Sequence, residues 1–241
     1  MDILINHGLL IFSAALLGTF TQSIVGFGLP LLLVPALAWI DPQLVPGPAL
    51  IASLLLSTLL TYQNRKHLIV DELSTSIWGL LLGTLIGGLG LLVMPAQHLP
   101  LLFGSMILLS VIVSGSGWHV KVTRNSLLGA GTAAGVMGTM TGMHGPPMAL
   151  LYQHGSGQQL RAVMAPFMML GNSIALIALW LINKLGIREL QLALFLLPAV
   201  IVGWLLAQWF VRHLDNTRYL RYAILLLASL SAITLIIGNG R

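Results

Sequence analysis

The sequence predicts an all-α membrane protein: a polytopic helical bundle of two repeats, each with a broken or re-entrant first helix, the repeats being inverted relative to one another. Three observations carry this reading. The 241-residue chain is 57% hydrophobic and only 7% charged, where a soluble domain carries roughly a quarter charged residues. Apolar runs long enough to cross a bilayer as helix, about 17 to 25 residues, fall at 45–62, 73–93, 100–116, 162–182, 190–211 and 221–238. Two longer apolar stretches, 8–40 and 126–152, are interrupted at matching places by Gly26-Phe27-Gly28-Leu29-Pro30 and Gly142-Met143-His144-Gly145-Pro146.

In chain order, the N-terminal Met1-Asp2-Ile3-Leu4 has no basic n-region, so the first hydrophobic segment is expected to be retained rather than cleaved as a signal peptide. Inside that segment the first glycine- and proline-rich interruption cannot leave its peptide groups facing lipid; it must line a cavity or meet a ligand. Proline suits the first turn of a helix, where its missing N–H costs nothing. Pro30 therefore opens a new half-helix, and Pro146 does the same in the second stretch. The span at 45–62 is followed by Arg65-Lys66, and the next begins after Asp71-Glu72, acidic residues that suit the positive end of a helix. Residues 117–125 form the linker. They separate a first membrane repeat, 1–116, from a second, 126–241. An offset of about 116 to 120 residues superposes Gly26 and Pro30 on Gly142 and Pro146, Glu72-Leu73 on Glu189-Leu190, and the run after Leu99 on the run after Leu220. Interruption, long span, acidic helix start and final span thus recur in the same order.

The basic residues orient the chain. If every segment crosses once, Arg65, Lys66, Lys121, Arg124, Lys184, Arg188 and Arg241 lie on one side, against Arg161, Arg212, Arg218 and Arg221. If each interrupted segment instead returns to the side it came from, Arg65, Lys66, Lys121, Arg124, Arg161, Arg212, Arg218 and Arg221 gather opposite Lys184, Arg188 and Arg241. The second arrangement concentrates positive charge better on the cytoplasmic side. It also makes the repeats inverted and sets both termini outside.

The polar residues narrow the chemistry. The chain contains no cysteine, so thiol nucleophiles and thiolate metal sites do not arise. All six carboxylates (Asp2, Asp41, Asp71, Glu72, Glu189 and Asp215) fall at segment ends. Cation transporters and carboxylate proton relays normally place one at mid-membrane, and an intramembrane enzyme would need a nucleophile with a base or a metal cluster. A net charge of +5 is spread singly or in pairs at the ends of apolar runs. It reads as topology and lipid headgroup contact rather than nucleic-acid binding. An anion, by contrast, binds to backbone N–H groups at helix N-termini without a basic side chain. The expected site is therefore the pocket formed where the two interruptions converge: Gly26, Phe27, Gly28 and Pro30 from the first, Gly142, His144, Gly145 and Pro146 from the second. The glycines let the backbone approach a ligand and reach positive φ.

Gln22 and Ser23 before the first interruption, Thr139 and Thr141 before the second, and Asn172 beside Ser173 in the following span complete the candidate set. Mid-membrane Ser and Thr commonly bond the carbonyl four residues back, and that is the expectation for Ser23, Ser53, Ser57, Thr58, Thr84 and Thr139. Gln22 and Asn172 need a partner across helices or a ligand. For His144, a neutral imidazole bonded to backbone is preferred over proton coupling. Arg161 either draws anions to a vestibule or couples transport; as a plain topology residue it does neither. Gly79, Gly83, Gly87, Gly90, Gly131, Gly135 and Gly138 recur at spacings of three and four, the pattern of close helix packing. The methionines, without Cys or clustered His, do not make a soft-metal site. No cofactor or metal is implied. The partners are a small anionic substrate and the lipid bilayer, and a homodimer is compatible with the pattern.

Thr21-Gln22-Ser23-Ile24-Val25-Gly26-Phe27-Gly28-Leu29-Pro30, together with Gly138-Thr139-Met140-Thr141-Gly142-Met143-His144-Gly145-Pro146-Pro147 and Tyr152, resembles the TauE/SafE sulfite exporter family. The resemblance covers the whole chain in length, two-half organisation and motif position. It implies a secondary transporter of the cell (inner) membrane that moves sulfite, a related sulfur oxyanion or an organosulfonate, typically outward and by alternating access. His144 departs from the small residue expected there. The residues leave open a passive anion channel and an importer of a sulfonate or thiosulfate.

Overall fold

The protein is described from a computed structural model, over residues 2–67, 70–115, 120–152, 157–211 and scattered helical positions between 226 and 237. The expected span at 221–238 lies largely outside the described residues, as do Gly117 to His119, Arg212, Asp215, Arg218, Arg221 and Arg241. Among the described residues there are nine α-helices and no strand. They are α1 (Asp2–Val25), α2 (Leu29–Ile40), α3 (Gly47–Gln63), α4 (Val70–Val93), α5 (Leu99–Gly115), α6 (Arg124–Thr141), α7 (Gly145–Tyr152), α8 (Gly157–Leu181) and α9 (Ile187–Val211). The stretches Asn6–Val25, Pro42–Gln63, Glu72–Val93, Gln159–Leu181 and Ile187–Phe210 are long and apolar enough to cross a membrane. The outside of the bundle is covered by large apolar side chains such as Leu85, Leu89, Trp180 and Trp209, a surface suited to lipid rather than water.

Helix ends follow local chemistry. Pro30 and Pro146 occupy the second positions of α2 and α7. α6 begins at Arg124, inside the stretch read as the linker, because Thr123 and Ser126 form a reciprocal capping box that satisfies two orphan amides at once. α6 ends where Gly142 turns left-handed at φ 81° and its N–H reaches back to the Gly138 carbonyl at 2.7 Å.

The path of the chain is set by side chains that meet across helices. α2 runs back along α1: Gly18 lies against Leu29, and the His7 ring stands 6.3 Å from that of Trp39. α7 likewise turns back beside α6, and the Tyr152 hydroxyl donates to Glu72 at the start of α4. Gln63 and Gln208 exchange hydrogen bonds of 2.6 and 2.8 Å at the ends of α3 and α9. Arg188 pairs with Asp41 at 3.1 Å at the opposite end. One end of the bundle therefore carries Arg65, Lys66, Lys121 and Arg124, and the other Lys184 and Arg188. The hairpin α1–α2 enters from the second end and α6–α7 from the first.

The two halves are interleaved. α4 packs on α6, α1 on α9 and α3 on α8. The glycines explain how closely α4 and α6 approach. A Cβ on Gly79, Gly83, Gly131 or Gly135 would run into a backbone carbonyl of the facing helix, at Leu128, Thr132, Ser76 and Leu80 respectively, and at Gly87 it would stand 2.9 Å from that of Val136. Gly203 of α9 packs the same way on α1, where a Cβ would stand 2.6 Å from the Leu16 carbonyl. Gly138 is the exception to the expected packing role. The space beside it is taken by the ring of His144.

Candidate functional site

The first interruption is built by glycine geometry and one amide. Gly26 and Gly28 have φ of 97° and 148°, conformations that an L side chain resists. Gln22 is fully buried; its Oε1 accepts the Leu29 N–H at 3.0 Å, and its Nε2 lies 3.9 Å from the Met168 sulfur. The side chain that sequence reasoning set aside for a ligand or a cross-helix partner is already engaged at the first amide of α2. Together with Pro30, which has no N–H, this leaves Leu31 as the donor among the first three positions of α2. In α7 both Pro146 and Pro147 lack N–H groups, leaving Gly145. The donor set is smaller than two open helix ends would supply.

The two interruptions touch. A Cβ on Gly145 would stand 2.7 Å from the Cβ of Phe27 and 3.6 Å from Met164. Gly145 has no positive φ, so close approach rather than backbone freedom is its requirement. Each tip also rests on the opposite half. Gly26 lies against Leu160 and Arg161 at the start of α8, and Gly142 against Pro46, Ala49 and Leu50 at the start of α3. Arg161 is partly buried, and its guanidinium donates to the Ile24 carbonyl at 3.0 Å, satisfying an orphan acceptor at the end of α1. Nothing in the spacing of Arg161 from the first interruption, 135 residues away in the chain, announces this contact.

The hydroxyls mostly satisfy themselves. Ser23 bonds the Thr19 carbonyl at 2.8 Å, Thr141 that of Met137 at 2.6 Å, Ser173 that of Met169 at 2.8 Å and Thr58 that of Leu54 at 2.7 Å. Thr84 and Thr139 do not: both hydroxyls are buried without a partner, and Thr139 lies against Gly87 in the seam with α4. Asn172 of α8 donates from Nδ2 to Ser53 at 3.0 Å and Ser57 at 3.4 Å on α3. Its Oδ1 has no donor.

His144 is fully buried, and neither ring nitrogen has a hydrogen-bond partner. This overturns the expected backbone bond. Gly138 and Gly171 each stand so close to the ring that a Cβ would overlap it, and they occupy the space a backbone carbonyl would need. The signal for this arrangement was present but unread. An offset of 116 residues sets Gln22 against Gly138 and Gly28 against His144. The first hairpin has a large polar side chain on its stem and glycine at the turn; the second has the reverse.

A cavity of about 400 Å³ opens at the end of the bundle bearing Lys184 and Arg188 and is lined by Gln43, Pro46, Met94 and Glu189 as well. Pro46, in its lining, is also the residue on which the Gly142 turn rests.

Long apolar helices enclosing two antiparallel hairpins whose turns meet inside the bundle make the architecture of a membrane transporter. The chain belongs to the Sulfite exporter TauE/SafE family, whose profile matches residues 10–235. It is an integral membrane protein of transport, in a family of exporters of sulfite and related sulfur anions. No curated protein and no solved structure matches it.

Proposed function

We propose that the protein is a secondary transporter of the inner membrane that exports sulfite, or a related small sulfur oxyanion or organosulfonate, by alternating access around the junction of its two interruptions. The observation that carries this reading is the Phe27–Gly145 contact, which brings the N-termini of α2 and α7 together from opposite ends of the bundle. Amides at such ends attract anions, and non-helical backbone at this depth is tolerated where it faces a ligand. Among the described residues no carboxylate competes at mid-membrane. The substrate-facing set is Gly26, Phe27, Gly28, Pro30, Gly142, His144, Gly145 and Pro146. Gln22, Ser23, Thr139, Thr141 and Asn172 shape the walls.

The exchanged pairing of helices supports an inverted repeat, α1 with α9 answering α6 with α4 and α3 with α8 lying on the pseudo-axis. The cavity beneath Lys184 and the Arg161–Ile24 contact at the far side support an outward-open arrangement, closed toward the cytoplasm by Arg161. Equilibrium exchange of radiolabelled sulfite across proteoliposomes tests the function. Saturable exchange that disappears in Gly26→Leu, with the protein still folded, is the expected result. Linear, non-saturating flux in the wild type would establish a channel instead.

A further inference from the structure

We propose that His144 binds a proton that travels with the anion, so that the unit carried across the membrane is one anion with one proton. The inference rests on the transporter reading above and assigns its coupling ion.

The shape of the site decides what it accepts. The imidazole is clamped between Gly138 and Gly171 with no space for even one added carbon on either side. These glycines close the Cδ2–Nε2 edge of the ring to an anion, but a proton needs no volume. Gly138 of α6 and Gly171 of α8 lie against the ring, and Asn172, next to Gly171, interacts with it and is tied to Ser53 and Ser57 of α3. None of these is titratable or charged. Arg161, on the same helix as Gly171 but ten residues before it, is about 15 Å away along the axis, and among the described residues no carboxylate lies inside the bundle.

Asn172 is set for an accepting role. Its amide hydrogens go to the two serines and its Oδ1 has no donor, so beside the ring it offers an oxygen to an N–H. The second ring nitrogen remains without a partner. A buried polar group left in that state costs on the order of 1–3 kcal/mol.

Charge completes the argument. A protonated imidazole here would be a buried cation with no protein counter-ion, which is expensive in a low-dielectric interior. The counter-ion available is the substrate, because His144 is followed directly by Gly145 and Pro146, the first residues of α7. The ring nitrogen that lacks a hydrogen takes its proton from water on one face and returns it to water on the other as the anion leaves. By reciprocity the anion raises the ring's affinity for the proton, and the proton raises the site's affinity for the anion by the same factor.

The test compares sulfite affinity of the wild type and His144→Gln from pH 6 to pH 8. Sulfite's own titration cancels in their ratio where both proteins take the same protonation form, and a sulfonate, ionised across this range, gives the same comparison without that titration. The wild-type affinity relative to the variant should rise as pH falls, by up to about tenfold per pH unit for one linked proton. Because the variant can fail to fold, the wild type supplies a second measurement: its histidine ring resonances, assigned by replacing the other six histidines singly, should show His144 moving to the charged form when sulfite is added at constant pH. Equal pH profiles in the two proteins, or a His144 resonance that ignores sulfite, overturn proton carriage while sulfite exchange keeps the transporter reading. Loss of affinity at every pH in a folded His144→Gln makes the ring a direct ligand and overturns it too. Absence of any sulfite binding or exchange in the wild type removes both.

Discussion

At the scale of single residues, the account turns on groups that spend their hydrogen bonds inside the protein. Gln22 holds the Leu29 amide, so Gln22→Ala leaves a buried N–H with nothing to bond. The loss should destabilise the protein by about 1–3 kcal/mol and lower its melting temperature, while Ser23→Ala, which removes only a bond to its own helix, should leave the melt nearly unchanged. Equal melts for the two variants would remove Gln22 from the α2 cap. Much of this layer was legible: an amide side chain within an apolar helix has to find a partner, and Gln22 and Asn172 were singled out for that reason. The partners of Asn172 were not legible, because Ser53 and Ser57 are more than a hundred residues away in the chain, whereas that of Gln22, the Leu29 amide seven residues on, depends on the turn between them. The setting of His144 was missed because it depends on two glycines, Gly138 and Gly171, whose importance lies in the space they leave.

At the scale of helices, glycine spacing and proline position were readable because both act locally. A helix stops at a left-handed glycine and starts with an early proline, and the helix limits at Thr141 and Gly145 follow from that chemistry. What periodicity could not say is which helix each glycine face meets. The facing helices belong to opposite halves, α4 with α6 and α1 with α9, so the seam is a tertiary fact. It predicts a contrast between neighbours. Gly83→Ala pushes a methyl into the Thr132 carbonyl, whereas Gly88→Ala projects into open space. Overpacking of this kind costs typically about 1–3 kcal/mol, so Gly83→Ala should cut the yield of monodisperse protein and lower its melting temperature. Gly88→Ala should match or exceed the wild type, since alanine is the better helix former by about 1 kcal/mol. Size-exclusion profiles and melts of the pair check this directly.

At the scale of the whole molecule, the proposed hairpins that return to their own side would set Arg65, Lys66, Lys121 and Arg124 on the cytoplasmic face and Lys184 and Arg188 outside. With no native cysteine, single cysteines report sidedness cleanly. Lys66→Cys should react with a membrane-impermeant thiol reagent only from the cytoplasmic face and Lys184→Cys only from outside. The reverse pattern would invert the transporter and with it the proposed direction.

The central claim is that a sulfur oxyanion sits where the two interruptions meet, and the most direct measurement is anomalous diffraction from crystals of the protein holding selenite, a heavier analogue of sulfite. The account predicts a selenium peak at the Phe27–Gly145 junction, between the first turns of α2 and α7, that is lost in Gly26→Leu. Selenium found only at Lys184 and Arg188 in the outer cavity, with the junction closed and empty, would contradict it.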